Sequence, residues 1–268
     1  MTLPATADTH ATDLVLLAQP EPGLVTLTLN RPGAMNAMDL PMARAFAAAC
    51  ERLAQERCAR VVVLSGAGRG FGAGGDLQAL HADPGQVGAL IDAMHRGIRV
   101  LATLDAPVVA SLHGVVAGGS LSLSGACDLA IAAEGTKFNL AYANIGASCD
   151  LSASWSLPRL VGLRRALEIA LLSETFDAQE ALRLGLVNRV VPAEALAEET
   201  LKLARRLAGG ATVAYGHLRR LMRQSLETPL SQQLDAERDA FVACTRTGDF
   251  GAGVAAFLKK ERPVFTGR

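Results

Sequence analysis

The sequence predicts an α/β fold, and three observations carry that prediction. Residues 61–77, VVVLSGAGRGFGAGGDL, read as a β-branched strand, a glycine-rich loop and the first turn of a helix. Residues 105–131, DAPVVASLHGVVAGGSLSLSGACDLAI, repeat that design, with an apolar strand at 107–112, glycines at 114, 118 and 119, and a small-residue helix at 121–126. The last third of the chain shows helical periodicity almost throughout. At each strand–glycine–helix junction the first helical N–H groups lack an intrahelical acceptor and face positive potential, so an anion or a developing oxyanion is stabilised there. Two such donors can converge on one oxygen.

The elements follow in order. Residues 1–12 are polar and unpatterned and are expected to form a tail. Strands at 14–17 and 24–29 flank the turn Glu21-Pro22-Gly23, and the second alternates Leu24, Thr26 and Thr28 against Val25, Leu27 and Leu29. A helix over 40–56 sets Met42, Phe46, Ala49, Cys50 and Leu53 on one face. After the strand at 61–64, Asp76 serves as a capping or turn residue, and an amphipathic helix spans 87–104 with Leu90, Ile91, Met94, Ile98 and Leu101 on one side. A strand at 128–132 and an extended piece at 137–138 come next. Helices are predicted at 163–172, 178–184 and 193–207, with a brief strand at 187–190; Pro192 starts the last helix and Gly209-Gly210 ends it. Helices at 211–226, 229–245 and 248–259 complete the chain.

Composition excludes several classes. Of the 268 residues 50% are hydrophobic and 19% charged, below the usual charged share of about 25%, which points to a sizeable core plus buried subunit contacts. Twenty-six basic residues balance 26 acidic ones without a basic stripe, so no nucleic-acid partner is expected. The absence of an apolar run near 18 residues and of a secretory head predicts no membrane partner and a cytoplasmic location. Five cysteines without a C-x-x-C pair predict free thiols, mostly buried, and five scattered histidines predict no metal site.

The segments LNRPGAMNA (29–37), FGAGGDL (71–77), HGVVAGGS (113–120) and FLKKERPVFTGR (257–268), in that order and spacing, resemble the crotonase superfamily, the enoyl-CoA hydratase/isomerase family. The resemblance covers about residues 23–268. It implies a crotonase-like spiral of β-β-α turns over 13–200 and a C-terminal helical oligomerisation region over 201–268, forming a homotrimer or a dimer of trimers. It implies an acyl-CoA substrate, with coenzyme A arriving as part of the thioester and no permanently bound cofactor. By position the oxyanion donors are the backbone N–H groups of Gly75 and Gly119. Arg31, Asp76, Leu77, Lys260 and Phe265 fall where the family contacts coenzyme A, the last two near its adenine end and in reach of a neighbouring subunit's site.

Family hydratases use two glutamates. Counted from Gly119 the first falls at Ser122, and aligned through Phe138 and Gly146 the second falls at Tyr142, so both are absent. A serine and a tyrosine are poorly suited to activating water and protonating a carbon at neutral pH. Asp150 remains. On its own it reads equally as an N-cap of a helix over 151–157; in the family this position carries the catalytic aspartate of isomerases and the nucleophile of aryl-CoA dehalogenases. Tyr142 reads first as a packing residue, Ser122 and His81 as pocket candidates, and His95 as a half-exposed helix residue. The sequence favours an enoyl-CoA isomerase-type enzyme with Asp150 as acid and base. Hydration, dehalogenation or thioester hydrolysis at Asp150, and non-catalytic acyl-CoA binding are the alternatives.

Overall fold

The structure, a computed structural model, describes residues 13–268; the predicted tail lies outside them. Its centre is a six-stranded sheet built from β1 (Val15–Glu21), β2 (Leu24–Leu29), β3 (Val61–Gly66), β4 (Val108–Leu112), β6 (Leu129–Ala133) and β9 (Arg189–Val191), in that spatial order. Only β1 and β2 pair antiparallel, through the tight Pro22-Gly23 turn; the other neighbours are parallel. A second sheet joins β5 (Val115–Ala117), β7 (Lys137–Asn139) and β8 (Phe176–Asp177). This small sheet was not predicted, except for the extended residues at 137–138, because strands of two and three residues carry no readable alternation.

Period two sorts the large sheet into two faces. Val25, Leu27, Leu29, Val62, Leu64, Val108, Ala110 and Leu112 point into the main core beneath α1 (Leu40–Glu56) and α3 (Val87–Thr103). The alternate residues Leu24, Val61, Val63 and Val109 meet α8 (Leu196–Ala208) through Ala204, Leu201 and Leu207. The two-sided burial explains why the inner strands are nearly continuous apolar runs. Helix α1 has the predicted bounds and buries Met42, Phe46, Cys50 and Leu53; Asp39 caps it by accepting the Met42 N–H at 2.9 Å. The short helices α2 (Leu77–Ala82) and α4 (Gly119–Gly125) follow the two glycine loops, and α5 (Ala153–Val161), α6 (Leu163–Leu172) and α7 (Ala178–Leu184) lead to β9. After α8 come α9 (Thr212–Gln224), α10 (Leu230–Thr245) and α11 (Gly248–Lys259). The expected boundary at residue 200 falls inside α8, which runs unbroken against the sheet.

Two expectations are corrected. The helix expected over 151–157 is α5, which starts at Ala153 and runs on to Val161 through Pro158. Among the cysteines only Cys50 is buried, and the other four are half-buried. No helix among the described residues is long and apolar enough to cross a membrane.

One side chain pins the loop that precedes the first glycine turn. Asn36, fully buried and left-handed at φ 55°, directs its Nδ2 at the carbonyls of Ala67, Gly70 and Phe71, at 2.9, 2.9 and 3.2 Å, while its Oδ1 accepts the Arg31 N–H at 2.8 Å. An amide has two hydrogens and two lone pairs to place, and this one places nearly all of them on backbone. Removing it orphans several buried carbonyls at once, each costing about 1–3 kcal/mol. Asn36→Ala is therefore expected to lower unfolding stability by about 2–4 kcal/mol in a urea titration. A loss below about 1 kcal/mol would show that water replaces the amide.

Candidate active site

The two glycine-rich loops leave the carboxyl ends of β3 and β4 and meet backbone to backbone. Gly75 forms a parallel bridge with Met38, in which the Met38 N–H donates to the Gly74 carbonyl at 2.7 Å and the Asp76 N–H to the Met38 carbonyl at 2.9 Å. Those two bonds flank Gly75, so its own N–H points to the opposite side of the chain. Gly119 is the first residue of α4 and its N–H precedes the helical ladder. Among the described residues neither N–H has a hydrogen-bond acceptor. Gly74, at φ 93°, brings the loops into contact: a Cβ there would lie 2.9 Å from the Ala117 oxygen and 3.1 Å from the Gly119 nitrogen. The buried Ser120 hydroxyl accepts the Gly74 N–H at 3.2 Å and ties the start of α4 to the opposing loop.

Beside Gly119 stand the hydroxyls and the carboxylate. Tyr142 OH lies 3.6 Å from the position a Gly119 Cβ would take, next to Leu151 Cδ1 at 3.0 Å and Met38 Sδ at 3.8 Å. The phenol donates to Asp150 Oδ1 in a very short contact, and Ser122 Oγ lies 3.0 Å from the phenol oxygen. Burial first, and then the Asp150 charge, pushes the Tyr142 phenol far above its ordinary value, so it stays protonated. The local chain explains the placement. Asn139 Oδ1 accepts the Ala141 N–H at 2.6 Å and holds Ala141 at φ 52°, which swings Tyr142 off the end of β7; the Tyr142 carbonyl then accepts from Ile145 and Ala147, both at 3.1 Å. After Asp150, the consecutive left-handed residues Leu151 (φ 48°) and Ser152 (φ 76°) turn the chain into α5, and buried Leu151 anchors the turn against Gly119.

Asp150 is not the cap that isolated reading allows. The cap position of α5 belongs to Ser152, and among the described residues the Asp150 carboxylate accepts from no backbone N–H. The structure thus brings Gly75, Gly119, Ser122, Tyr142 and Asp150 together. The other candidates lie further out. Arg31 Nη1 binds Asp76 Oδ2 at 2.6 Å and the Ala37 carbonyl at 3.0 Å, with Asp39 at 3.5 Å. Asp76 also caps α2 by accepting from Gln78 and Ala79, both at 3.1 Å, and the Arg31 guanidinium, ahead of the Ala79 N–H, holds its carboxyl below the usual carboxylate range. Leu77 and His81 are exposed on α2, and His95 is half-buried on α3. Lys260 is exposed after α11, while Phe265 packs near Gly253 and its carbonyl accepts from Arg60 Nη2 at 3.0 Å. Arg60 precedes β3, so this chain's own C-terminal segment is anchored at the amino end of β3, opposite the glycine loop at its carboxyl end, a strand length of about 17–20 Å away.

Sequence reasoning missed Asn36, Met38, Ser120 and Leu151. Asn36 lies inside the segment 29–37 and Ser120 inside 113–120, but their residue types carry no site chemistry, asparagine only tolerating the left-handed region. Met38 and Leu151 are apolar residues outside those segments.

Comparison with known proteins agrees with this geometry over almost the whole chain. The enoyl-CoA hydratase/isomerase family model matches residues 19–268. The 1,2-epoxyphenylacetyl-CoA isomerase of Escherichia coli is 36% identical over 258 residues, 94% of this chain and 98% of that protein. The trans-2-decenoyl-[acyl-carrier-protein] isomerase of Streptococcus mutans is 31% identical, covering 92% of this chain and 95% of its own length. Among solved structures, an enoyl-CoA hydratase from Polaromonas sp. JS666 superposes with a TM-score of 0.87 at 34% identity, over 94% of this chain and 99% of that one. A mixed α/β spiral with paired glycine loops, matched by the family model from residue 19 to the C-terminal residue, makes this chain a member of the enoyl-CoA hydratase/isomerase family.

Proposed function

We propose that the enzyme shifts a double bond within an enoyl-CoA thioester. The observation that carries this reading is a single carboxylate, Asp150, beside Gly119, with hydroxyls rather than carboxylates at Ser122 and Tyr142. Asp150 takes a proton from the α-carbon of a 3-enoyl thioester, and the electron pair of that C–H bond delocalises onto the thioester oxygen. The Gly75 and Gly119 N–H groups donate to this oxygen as its charge grows, an electrostatic stabilisation commonly worth a factor of a hundred to a thousand for each donor. The dienolate then collapses, the γ-carbon takes the proton back from Asp150, and the conjugated 2-enoyl thioester leaves. One group serves as base and acid, and no water is consumed. Hydration asks for a second proton-transfer group to activate water, and the buried phenol is held protonated and committed to Asp150.

The Escherichia coli relative's name supports isomerisation of an acyl-CoA, and the Streptococcus mutans relative's name isomerisation of an enoyl thioester. Coenzyme A runs past the Arg31 loop, where the Arg31–Asp76 pair leaves Leu77 and the backbone of α2 as the accessible contacts. Phe265, held at the far end of β3 by Arg60, and the exposed Lys260 meet coenzyme A bound to a neighbouring subunit. The trimer that this requires is supported by apolar side chains left open on the C-terminal helices: Met222 is 71% exposed, Leu230 74% and Phe257 82%.

Three outcomes test these statements. A 3-enoyl-CoA gains conjugated absorbance with this enzyme, whereas loss of the absorbance of crotonyl-CoA without that gain marks a hydratase. Asp150→Asn keeps shape and hydrogen bonding, so it abolishes isomerisation while acyl-CoA affinity in a calorimetric titration stays within a few-fold, the proton being moved only in the transition state. Full activity in that variant would remove Asp150 from the mechanism. Light scattering gives a trimer or a dimer of trimers, and a monomer at micromolar concentration would contradict the assembly.

A further inference from the structure

Asp150 has two oxygens, and the chain treats them differently. Oδ1 is taken by the Tyr142 phenol, whereas Oδ2 has no protein partner among the described residues and is not sealed from solvent. Among the described residues no backbone N–H donates to the carboxylate, and its neighbours Leu151 and Ser152 hold left-handed backbone. A carboxylate only accepts, so the phenol must donate to it, and the phenol oxygen is then left to accept from Ser122, 3.0 Å away, in preference to the longer 3.4 Å contact of the same hydroxyl to the Gly118 carbonyl. Donation therefore runs one way, from Ser122 through Tyr142 to Asp150. Ser122 is buried in the first turns of α4, three residues after Gly119, so the chain that orients the carboxylate is built on the same helix start that carries one oxyanion donor.

We propose that Tyr142 is a positioning residue that pins Asp150 so that Oδ2 alone handles the substrate proton, making the double-bond shift a one-base transfer on one face of the substrate. This rests on the isomerase reading above. The proton that Oδ2 removes from the α-carbon stays on that oxygen, which faces the dienolate, and returns to the γ-carbon. Oδ1, the oxygen nearer the protein, exchanges nothing, because it already accepts the phenol hydrogen. Without the phenol the carboxyl group rotates, presents either oxygen, and trades its proton with water before return.

The test uses a 3-enoyl-CoA carrying two deuterons on the α-carbon, turned over in ordinary water and read by mass spectrometry at early conversion. Direct return gives product with both deuterons, and exchange gives product with one. Wild-type enzyme is expected to give a substantial doubly labelled fraction. Tyr142→Phe, which keeps the ring, is expected to lower kcat about ten- to a hundredfold with KM within about twofold, the cost of a misoriented catalytic group, and to lose most of the doubly labelled product. Ser122→Ala should show a smaller loss of both in the same direction. Circular dichroism checks that each variant is folded.

A second readout does not need turnover. The chain has two tyrosines, so in a Tyr215→Phe background the tyrosinate absorbance reports Tyr142 alone. Its titration should lie well above the ordinary value near 10 and move down in Asp150→Asn, where the neighbouring charge is gone. Tyr142→Phe with unchanged kcat and unchanged label retention overturns the positioning role, and so does a tyrosinate titration indifferent to Asp150→Asn. If wild-type enzyme moves no double bond in any 3-enoyl-CoA while the titration still responds to Asp150, the contact stands, but the isomerase reading fails and the proposal fails with it.

Discussion

The close approach of two backbones, Gly74 against Gly118 and Gly119, is the constraint on which the site depends. Each loop leaves a parallel strand at its carboxyl end, and the register Val62↔Val108 through Leu64↔Ala110 sets how far apart the two loops start. On the proposed reading, in which the Gly75 and Gly119 N–H groups share one oxygen, the loops must cross at van der Waals distance, and a side chain on Gly74 would meet the Ala117 carbonyl and the Gly119 nitrogen. Backbone donors suit this task because their direction is set by the fold and costs no rotamer entropy. The small sheet of β5, β7 and β8 stiffens the arrangement: β5 immediately precedes Gly118, and the Gly118 N–H donates to the Asn139 carbonyl of β7 at 2.9 Å.

That contact is held by buried polar groups rather than by apolar packing alone. Asn36 satisfies carbonyls of the 67–71 turn, Ser120 takes the Gly74 N–H, and Met38 bridges Gly74 to Asp76. Each of these bonds is modest by net energy, but a loop of glycines with few side chains has little else to fix it, and every unsatisfied buried group would cost more than the bond contributes. The Arg31–Asp76 pair adds a partly exposed tie of the same sense, worth little by itself and useful mainly in directing the cap of α2.

The sequence made much of this legible, and the parts it left out share a cause. Helices α1, α6, α7 and α11 have the bounds that apolar spacing and flanking Gly, Asp and Thr predict, because the signal lies within each segment. Strand β2 was readable from period two, and β3 and β4 from short β-branched apolar runs ended by glycine. The second sheet was not, since β5 and β8 are ordered by partners far away in sequence. In the site, Gly75 and Gly119 stood out by residue type and Asp150 by family position. The phenol contact to Asp150 was hidden, because it depends on left-handed Ala141, Leu151 and Ser152, residues that ordinarily avoid that region and adopt it here under tertiary constraint.

Charge explains why losing the two family glutamates is compatible with enolate chemistry. Before proton transfer Asp150 is the only acidic side chain in the cluster with Ser122, Tyr142 and the two glycines. On the proposed path it becomes neutral as the thioester oxygen becomes negative, so the site carries one negative charge throughout and that charge moves toward the Gly75 and Gly119 donors. A second carboxylate about 5 Å from that oxygen would oppose it by about 3 kcal/mol at an effective dielectric of 20. Hydroxyls at Ser122 and Tyr142 carry no such penalty, and the phenol donates to Asp150. What they give up is a second group able to take a proton from water, which is the capacity that hydration needs and a one-base double-bond shift does not.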